Sequence, residues 1–352
     1  MVSWPNRRFA DLVGTEHPII QAPMANAGGV ELCIAAAEGG ALGSVPCGML
    51  SPDQIRDQVG AVRTRSGGPL NLNFFCHHMP GQIDDSAWRA LLRPYCDEFG
   101  IHDLPPAPLR LPFDDASCAE VEQVKPEVVS FHFGLPEPSL MERVKRTGAT
   151  VIGCATTVDE ADWLERRGVD AIIAQGFEAG GHTGRFLGSD PAEAMGLFTL
   201  LPQIVDAVRV PVIAAGGIAD GRGIAAAVAL GASAVQMGTA YLHCPESLLP
   251  QGLKDMLKRR PTVFTNIYSG GLARAVRGRL IDELGPVRDE APPYPLAGAL
   301  TMPLFRAALE RADYDFLPSL AGQSAALGRP LPAAELTRKL AADALAILWR
   351  GA

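Results

Sequence analysis

The sequence predicts an α/β protein built as a (β/α)8 TIM barrel with a smaller helical cap subdomain, and three observations carry that expectation. Eight short apolar runs recur along the first two thirds of the chain, most of them separated by helix-length segments. Glycine-rich turns follow several of these runs, where a barrel of this kind places its working residues. Beyond Pro245 the alternation stops and the pattern turns helical. With 352 residues, the chain is long enough for one large barrel and an appendage.

The candidate strands are residues 18–21, 41–45, 70–74, 128–133, 150–154, 170–174, 212–215 and 234–237, each short and apolar, as strands buried on both faces are. Candidate helices between them are 30–38, 52–64, 140–146, 158–167, 200–208 and 223–230. Asp220 is placed to cap the last of these and Gly231 to end it. Residues 77–125 are too long for one helix and contain the proline-rich stretch 104–112, so helices joined by an irregular loop over the barrel mouth are expected. After Pro245 come candidate helices 248–258, 297–311 and 336–349, with the four prolines of 286–295 reading as a connector. The expected division is a barrel of residues 1–245 plus 321–352 and a helical cap of residues 246–320. An open, doubly wound sheet uses many of the same segments and stays as the alternative.

Composition narrows the function. Hydrophobic residues make 47% of the chain and charged residues 20%, with a net charge of −8, which argues against nucleic acid or anionic membrane as a partner. The apolar stretch 210–242 is broken by Asp220, Arg222 and several glycines, so it does not read as a membrane span. The first fourteen residues carry Arg7, Arg8 and Asp11 and do not resemble a signal peptide. Seven cysteines form no CxxC pair and are odd in number, which suits buried thiols in the cytoplasm. His77 and His78 lack a third ligand, so no metal site is expected.

The ends of the candidate strands collect a coherent set of residues. After the first comes Ala22-Pro23-Met24; in the third lies Asn73; the fourth ends at His132. After the sixth comes Gln175-Gly-Phe-Glu-Ala-Gly-Gly-His-Thr-Gly, in which Gly180 and Gly181 permit positive φ or a close approach and His182 is held at the rim with a pKa in the useful range. Gly216-Gly217 after the seventh strand and Gly238-Thr239 after the eighth form two adjacent cradles for a phosphate. Asn73, Gln175 and Gln236 offer donors and acceptors that suit the edge of a heteroaromatic ring.

These residues resemble the nitronate monooxygenases, formerly 2-nitropropane dioxygenases, over residues 18–247 and again over 269–322. The resemblance rests on Gln21-Ala-Pro-Met-Ala, Ser130-Phe-His-Phe-Gly-Leu-Pro, the Gln175 loop, Ala214-Ala-Gly-Gly-Ile and Gln236-Met-Gly-Thr. It implies that Ala22, Pro23, Met24, Asn73, Gln175, Gly180, Gly181, Gly216, Gly217, Gln236, Met237, Gly238 and Thr239 hold FMN. It further implies that His182 is the catalytic base and that His132 and Ser269 border the substrate pocket. The chain departs from the family pattern at Asn26, where glycine is usual, and around Arg274, whose role the departure leaves open.

The implied reaction is FMN-dependent oxidation of alkyl nitronates, and of nitroalkanes such as the parent of propionate 3-nitronate, by dioxygen to a carbonyl compound and nitrite. His182 would deprotonate a neutral nitroalkane. A small-molecule nitronate and dioxygen are then the partners, with a homodimer as the expected assembly. The same Glu-Ala-Gly-Gly-His loop also resembles NAD(P)H-dependent flavin reductases of the quinone reductase or enoyl-ACP reductase type, which stand as the alternative. A barrel of the IMP dehydrogenase kind needs a catalytic cysteine on a mobile loop, and no cysteine sits directly after the sixth strand. An inactive flavin-binding scaffold is disfavoured by the retention of His182 and both cradles.

Overall fold

The computed structural model describes residues 3–188 and 191–350. Its main sheet contains eight strands: β1 (Ile19–Gln21), β2 (Gly43–Pro46), β3 (Leu70–Phe75), β4 (Val128–His132), β5 (Thr150–Ala155), β6 (Ala171–Gln175), β7 (Val212–Ala215) and β8 (Ala234–Met237). From β2 to β8 each strand pairs in parallel with the next, and β8 pairs with β1 in the register Ile19↔Val235. A parallel bridge between Ile20 and Leu42 joins β1 to the start of β2, with Leu42 N–H donating to Ile19 at 2.9 Å and Gln21 N–H to Leu42 at 3.0 Å. The ring is therefore closed, and the open-sheet alternative falls.

Alternation along the strands separates two apolar layers. Ile20, Ile152, Ile173 and Ile213 join Phe9 of the helix Arg8–Val13 in one cluster. Their chain neighbours Ile19, Val151, Ile172 and Val212 belong to the larger layer under the surrounding helices. The helix Ala333–Leu348 closes that layer, packing on Val30–Glu38 and Gly221–Ala229. Its buried Leu336, Leu340 and Ala344 recur every four residues, so they form one stripe. Helix starts are chemically marked. Ser51 and Gln54 make a reciprocal capping box at Pro52–Arg63, Thr157 caps Val158–Arg166, and Asp220 caps Gly221–Ala229.

The region after β8 is not purely helical, which corrects the expected composition of the cap. It contains Gln251–Arg259, Arg279–Leu284 and Leu296–Glu310, but also the strands Thr262–Thr265 and Ala273–Val276. Those two pair antiparallel, and the second also pairs with Gly181–His182 to make a three-stranded sheet. Four-residue runs of mixed polarity carry too little periodicity to be read locally, and here the pairing partner is about ninety residues away. A separate apolar cluster, with Trp88, Leu92, Leu300, Leu304 and Phe316 at its centre, ties Leu296–Glu310 to the helix Ser86–Phe99. No helix of the described residues is long and apolar enough to cross a membrane.

Candidate active site

All sixteen residues singled out from the sequence border one cavity of about 1080 Å3 at the carboxyl ends of the barrel strands. Their local roles differ from one another.

Gly216 and Gly217 have φ of 120° and 69°, so the chain after β7 turns through conformations that a side chain rarely adopts. Gly238 and Thr239 follow β8 alongside them, and the Thr239 hydroxyl accepts from Gly322 N–H at 2.9 Å. Gly180 is glycine for a different reason than ligand contact: a Cβ there would stand 2.4 Å from the backbone of Ala321 and Gly322. Gly322 and Ser324 border the cavity too, yet nothing in their local sequence marks them as site residues. Only the chain's return across the barrel brings them there.

The amide side chains divide their work. Gln175 binds the following loop, donating to the His182 carbonyl at 3.0 Å and accepting from Gly184 N–H at 2.6 Å. Asn73 donates to Ser130 at its hydroxyl (3.0 Å) and carbonyl (3.2 Å). Gln236 borders the cavity half-buried and makes no side-chain hydrogen bond among the described residues, so its amide is free for a ligand. Asn26 also borders the cavity with φ 63°, a left-handed conformation that asparagine tolerates better than other side chains, so it can stand where the family resemblance leads one to expect glycine.

His182 lies deeper than the sequence suggests. Only 9% of its surface is accessible, and aromatic rings surround it: Tyr294 at 5.1 Å between ring centres, Phe133 at 6.0 Å and Phe75 at 6.4 Å. Burial pushes its pKa down to about 3, assisted by the charge of Arg110 and by His132 and His77. The expected rim histidine of ordinary pKa is thereby corrected. Near neutral pH the ring is uncharged, and its surroundings make it a weak base. Its Nε2 lies 2.7 Å from the Ser269 hydroxyl, a direct contact that the sequence does not foretell across 87 residues.

His132 supports the same loop from β4. Its Nε2–H donates to the His182 carbonyl at 3.2 Å, and burial lowers its pKa to about 4. The next residue, Phe133, has φ 66°, a conformation costing roughly 1–2 kcal/mol for a bulky side chain. Strain at this point turns its ring against His132, with 4.6 Å between centres, and towards Tyr294 at 5.5 Å.

Arg274 does not border the cavity. It is 2% exposed, its Nε–H donates to the Phe177 carbonyl at 3.1 Å, and its guanidinium lies over the rings of Phe177 (4.5 Å) and Phe264 (4.2 Å), which themselves pack edge-on. It therefore fastens the small sheet to the Gln175 loop.

The sequence pattern of the nitronate monooxygenase family matches residues 6–343. The chain is 41% identical to a nitronate monooxygenase of Pseudomonas aeruginosa, covering 95% of this chain and 97% of that one. It is 40% identical to a nitronate monooxygenase of Paraburkholderia phytofirmans, covering 95% and 94%. Among solved structures, a nitroalkane oxidase from Streptomyces ansochromogenes superposes with a TM-score of 0.90 at 36% identity, covering 96% and 97%. FabK from Thermotoga maritima superposes with a TM-score of 0.75 at 28% identity, covering 99% and 98%. Barrel, cradle and histidine loop thus agree with a match along nearly the whole sequence, and the chain belongs to the nitronate monooxygenase family of flavin-dependent oxidoreductases.

Proposed function

We propose that this protein oxidises alkyl nitronates with dioxygen, using one non-covalent FMN per chain, and yields a carbonyl compound and nitrite. The observation that carries the reading is the neutral, buried His182 at the wall of the cavity that the glycine cradles also border. A nitronate is already deprotonated, so it suits a pocket whose histidine is a weak base.

The residues present fit FMN. The positive-φ glycines after β7, facing Gly238 and Thr239 after β8, leave backbone free to approach one phosphate, and no dinucleotide fingerprint accompanies them. The uncommitted Gln236 amide suits the edge of the ring system, and the cavity has room for cofactor and substrate together. When bound, FMN supplies the electron-accepting chemistry that the side chains lack. Gln175 and His132 hold the loop that carries His182, Ser269 orients the imidazole, and the aromatic wall keeps water from the reacting carbon.

Residues 1–245 with 321–352 are proposed as the FMN-binding barrel and 246–320 as the substrate cap. A cytoplasmic location is proposed on the seven cysteines, all free and buried.

Purified protein should be yellow, release FMN on denaturation, and form nitrite from ethyl nitronate in air. Gly217→Leu should lose the colour and keep most of its helicity by circular dichroism. Recovery of FAD, or anaerobic bleaching by NADH without nitrite formation, would replace this reading with the reductase one.

A further inference from the structure

A charged residue outside the predicted set, Arg110, borders the same cavity as His182. The segment of residues 107–113 crosses the mouth and is pinned at both ends. Ala107 N–H donates to Ala299 at 2.8 Å, and Phe113 N–H donates to Phe75 at 2.7 Å. Between these pins the Arg110 carbonyl accepts from His77 Nε2–H at 3.1 Å, so the backbone under this arginine is fixed. Its side chain borders the cavity.

The guanidinium makes no ion pair and no bond to a backbone carbonyl among the described residues. Structural arginines of this protein behave otherwise: Arg274 holds the Phe177 carbonyl, Arg89 the Leu104 carbonyl and Arg311 the Phe99 carbonyl. Asp114 is the one carboxylate bordering the cavity, and it is occupied in accepting from Ser117 N–H at 2.9 Å. The other bordering cation, Arg306, is solvent-exposed.

Arg110 acts electrically on the reacting centre. Among charged neighbours it contributes most to keeping His182 neutral, and it also offsets the rise that burial imposes on the Tyr294 phenol. The Tyr294 hydroxyl oxygen is itself buried without a well-formed hydrogen bond. The Arg110 side chain and the Tyr294 hydroxyl interact with each other, and a cation with no counter-ion beside a hydroxyl whose proton meets no acceptor, on a largely apolar wall, leaves a place for one negative group.

We propose that Arg110 is the anion-recognition residue of the substrate pocket, gripping a planar two-oxygen anion of the substrate with the Tyr294 hydroxyl as second donor. The inference rests on the nitronate reading for what that anion is. A nitronate carries its charge on two coplanar oxygens, as a carboxylate does, and the guanidinium fork matches such a group with two parallel hydrogen bonds. Arg110 is then a specificity residue: it favours substrates that arrive ionised over their neutral nitroalkane forms.

The test uses FMN-loaded enzyme carrying Arg110→Met, Arg110→Lys or Arg110→Gln, the last serving if the methionine variant does not fold. Propionate, a non-reacting anion, is titrated through its perturbation of the flavin spectrum. KM is measured for ethyl nitronate, propionate 3-nitronate and nitroethane. Arg110→Met should weaken propionate binding and raise KM for the anions about 10- to 100-fold, while KM for neutral nitroethane changes under about threefold. Arg110→Lys should fall between, because it keeps the charge and loses the fork. Weakening of ethyl nitronate assigns Arg110 to the nitronate oxygens; weakening confined to propionate and propionate 3-nitronate assigns it to a substrate carboxylate. Unchanged propionate affinity and unchanged anion KM overturn the proposal. If wild-type enzyme forms no nitrite but Arg110→Met still weakens propionate, the nitronate reading fails and the anion site stands.

Discussion

At the scale of single residues, the proposed function offers His182 two jobs that experiment can separate. A neutral nitroalkane must lose a carbon-bound proton before oxidation, whereas a nitronate arrives without it. Removing a general base lowers a rate by roughly 10² to 10⁴. His182→Asn should therefore bind FMN normally and lose nitroalkane activity towards the lower end of that range, because the buried imidazole is a weak base, while nitronate turnover falls less than about tenfold. Nitrite release from the two forms of one compound, assayed before they interconvert, checks this. Equal losses on both would show that the imidazole acts on the bound anion and not as a base. Ser269 belongs to the same unit, since its hydroxyl at 2.7 Å fixes the ring plane that either job requires.

At the scale of elements, the loop after β6 is held from three sides. Gln175 and His132 grip the His182 carbonyl, Arg274 locks onto Phe177, and Gly180 lies against the Ala321–Gly322 backbone. The last contact has no slack, because the atoms that a Cβ would meet are main chain. Gly180→Ala should destabilise the protein by roughly 1–3 kcal/mol, the usual cost of overpacking, and loosen the Thr239–Gly322 bond beside the cradle. Thermal melting together with FMN affinity measures both effects. A variant with wild-type melting temperature and wild-type affinity would show that the 321–322 segment yields freely.

At the scale of the whole molecule, buried histidines make stability depend on pH. His182 and His132 have folded pKa values of about 3 and about 4, below the ordinary 6.5, so the unfolded chain binds their protons first. Their contribution is complete above pH 6.5 and is lost as pH falls from there towards 4 and 3. Between pH 7.5 and 5 each should cost about 2 kcal/mol. His17, His77 and His243 are lowered by burial as well and act in the same sense. FMN-free protein should thus melt several degrees lower at pH 5 than at pH 7.5, and His132→Gln should flatten that slope. Equal melting temperatures at the two pH values would exclude this source of acid sensitivity.

The chain's local chemistry determined the barrel by itself. Strand starts and ends fall within a residue or two of the apolar runs, since a buried parallel strand needs nothing but a short apolar stretch between a helix and a turn. The glycine cradles and the histidine loop were legible for the same reason: each is contiguous, and its residue types restrict the backbone directly. What tertiary structure alone decided is how distant segments complete the site. It set Ser269 against His182, Gly322 against Thr239, Ala273–Val276 against Gly181–His182, and Arg110 at the mouth. It also lowered the basicity of His182, because burial and neighbouring charge are properties of a place in the fold, which no local pattern of residues encodes.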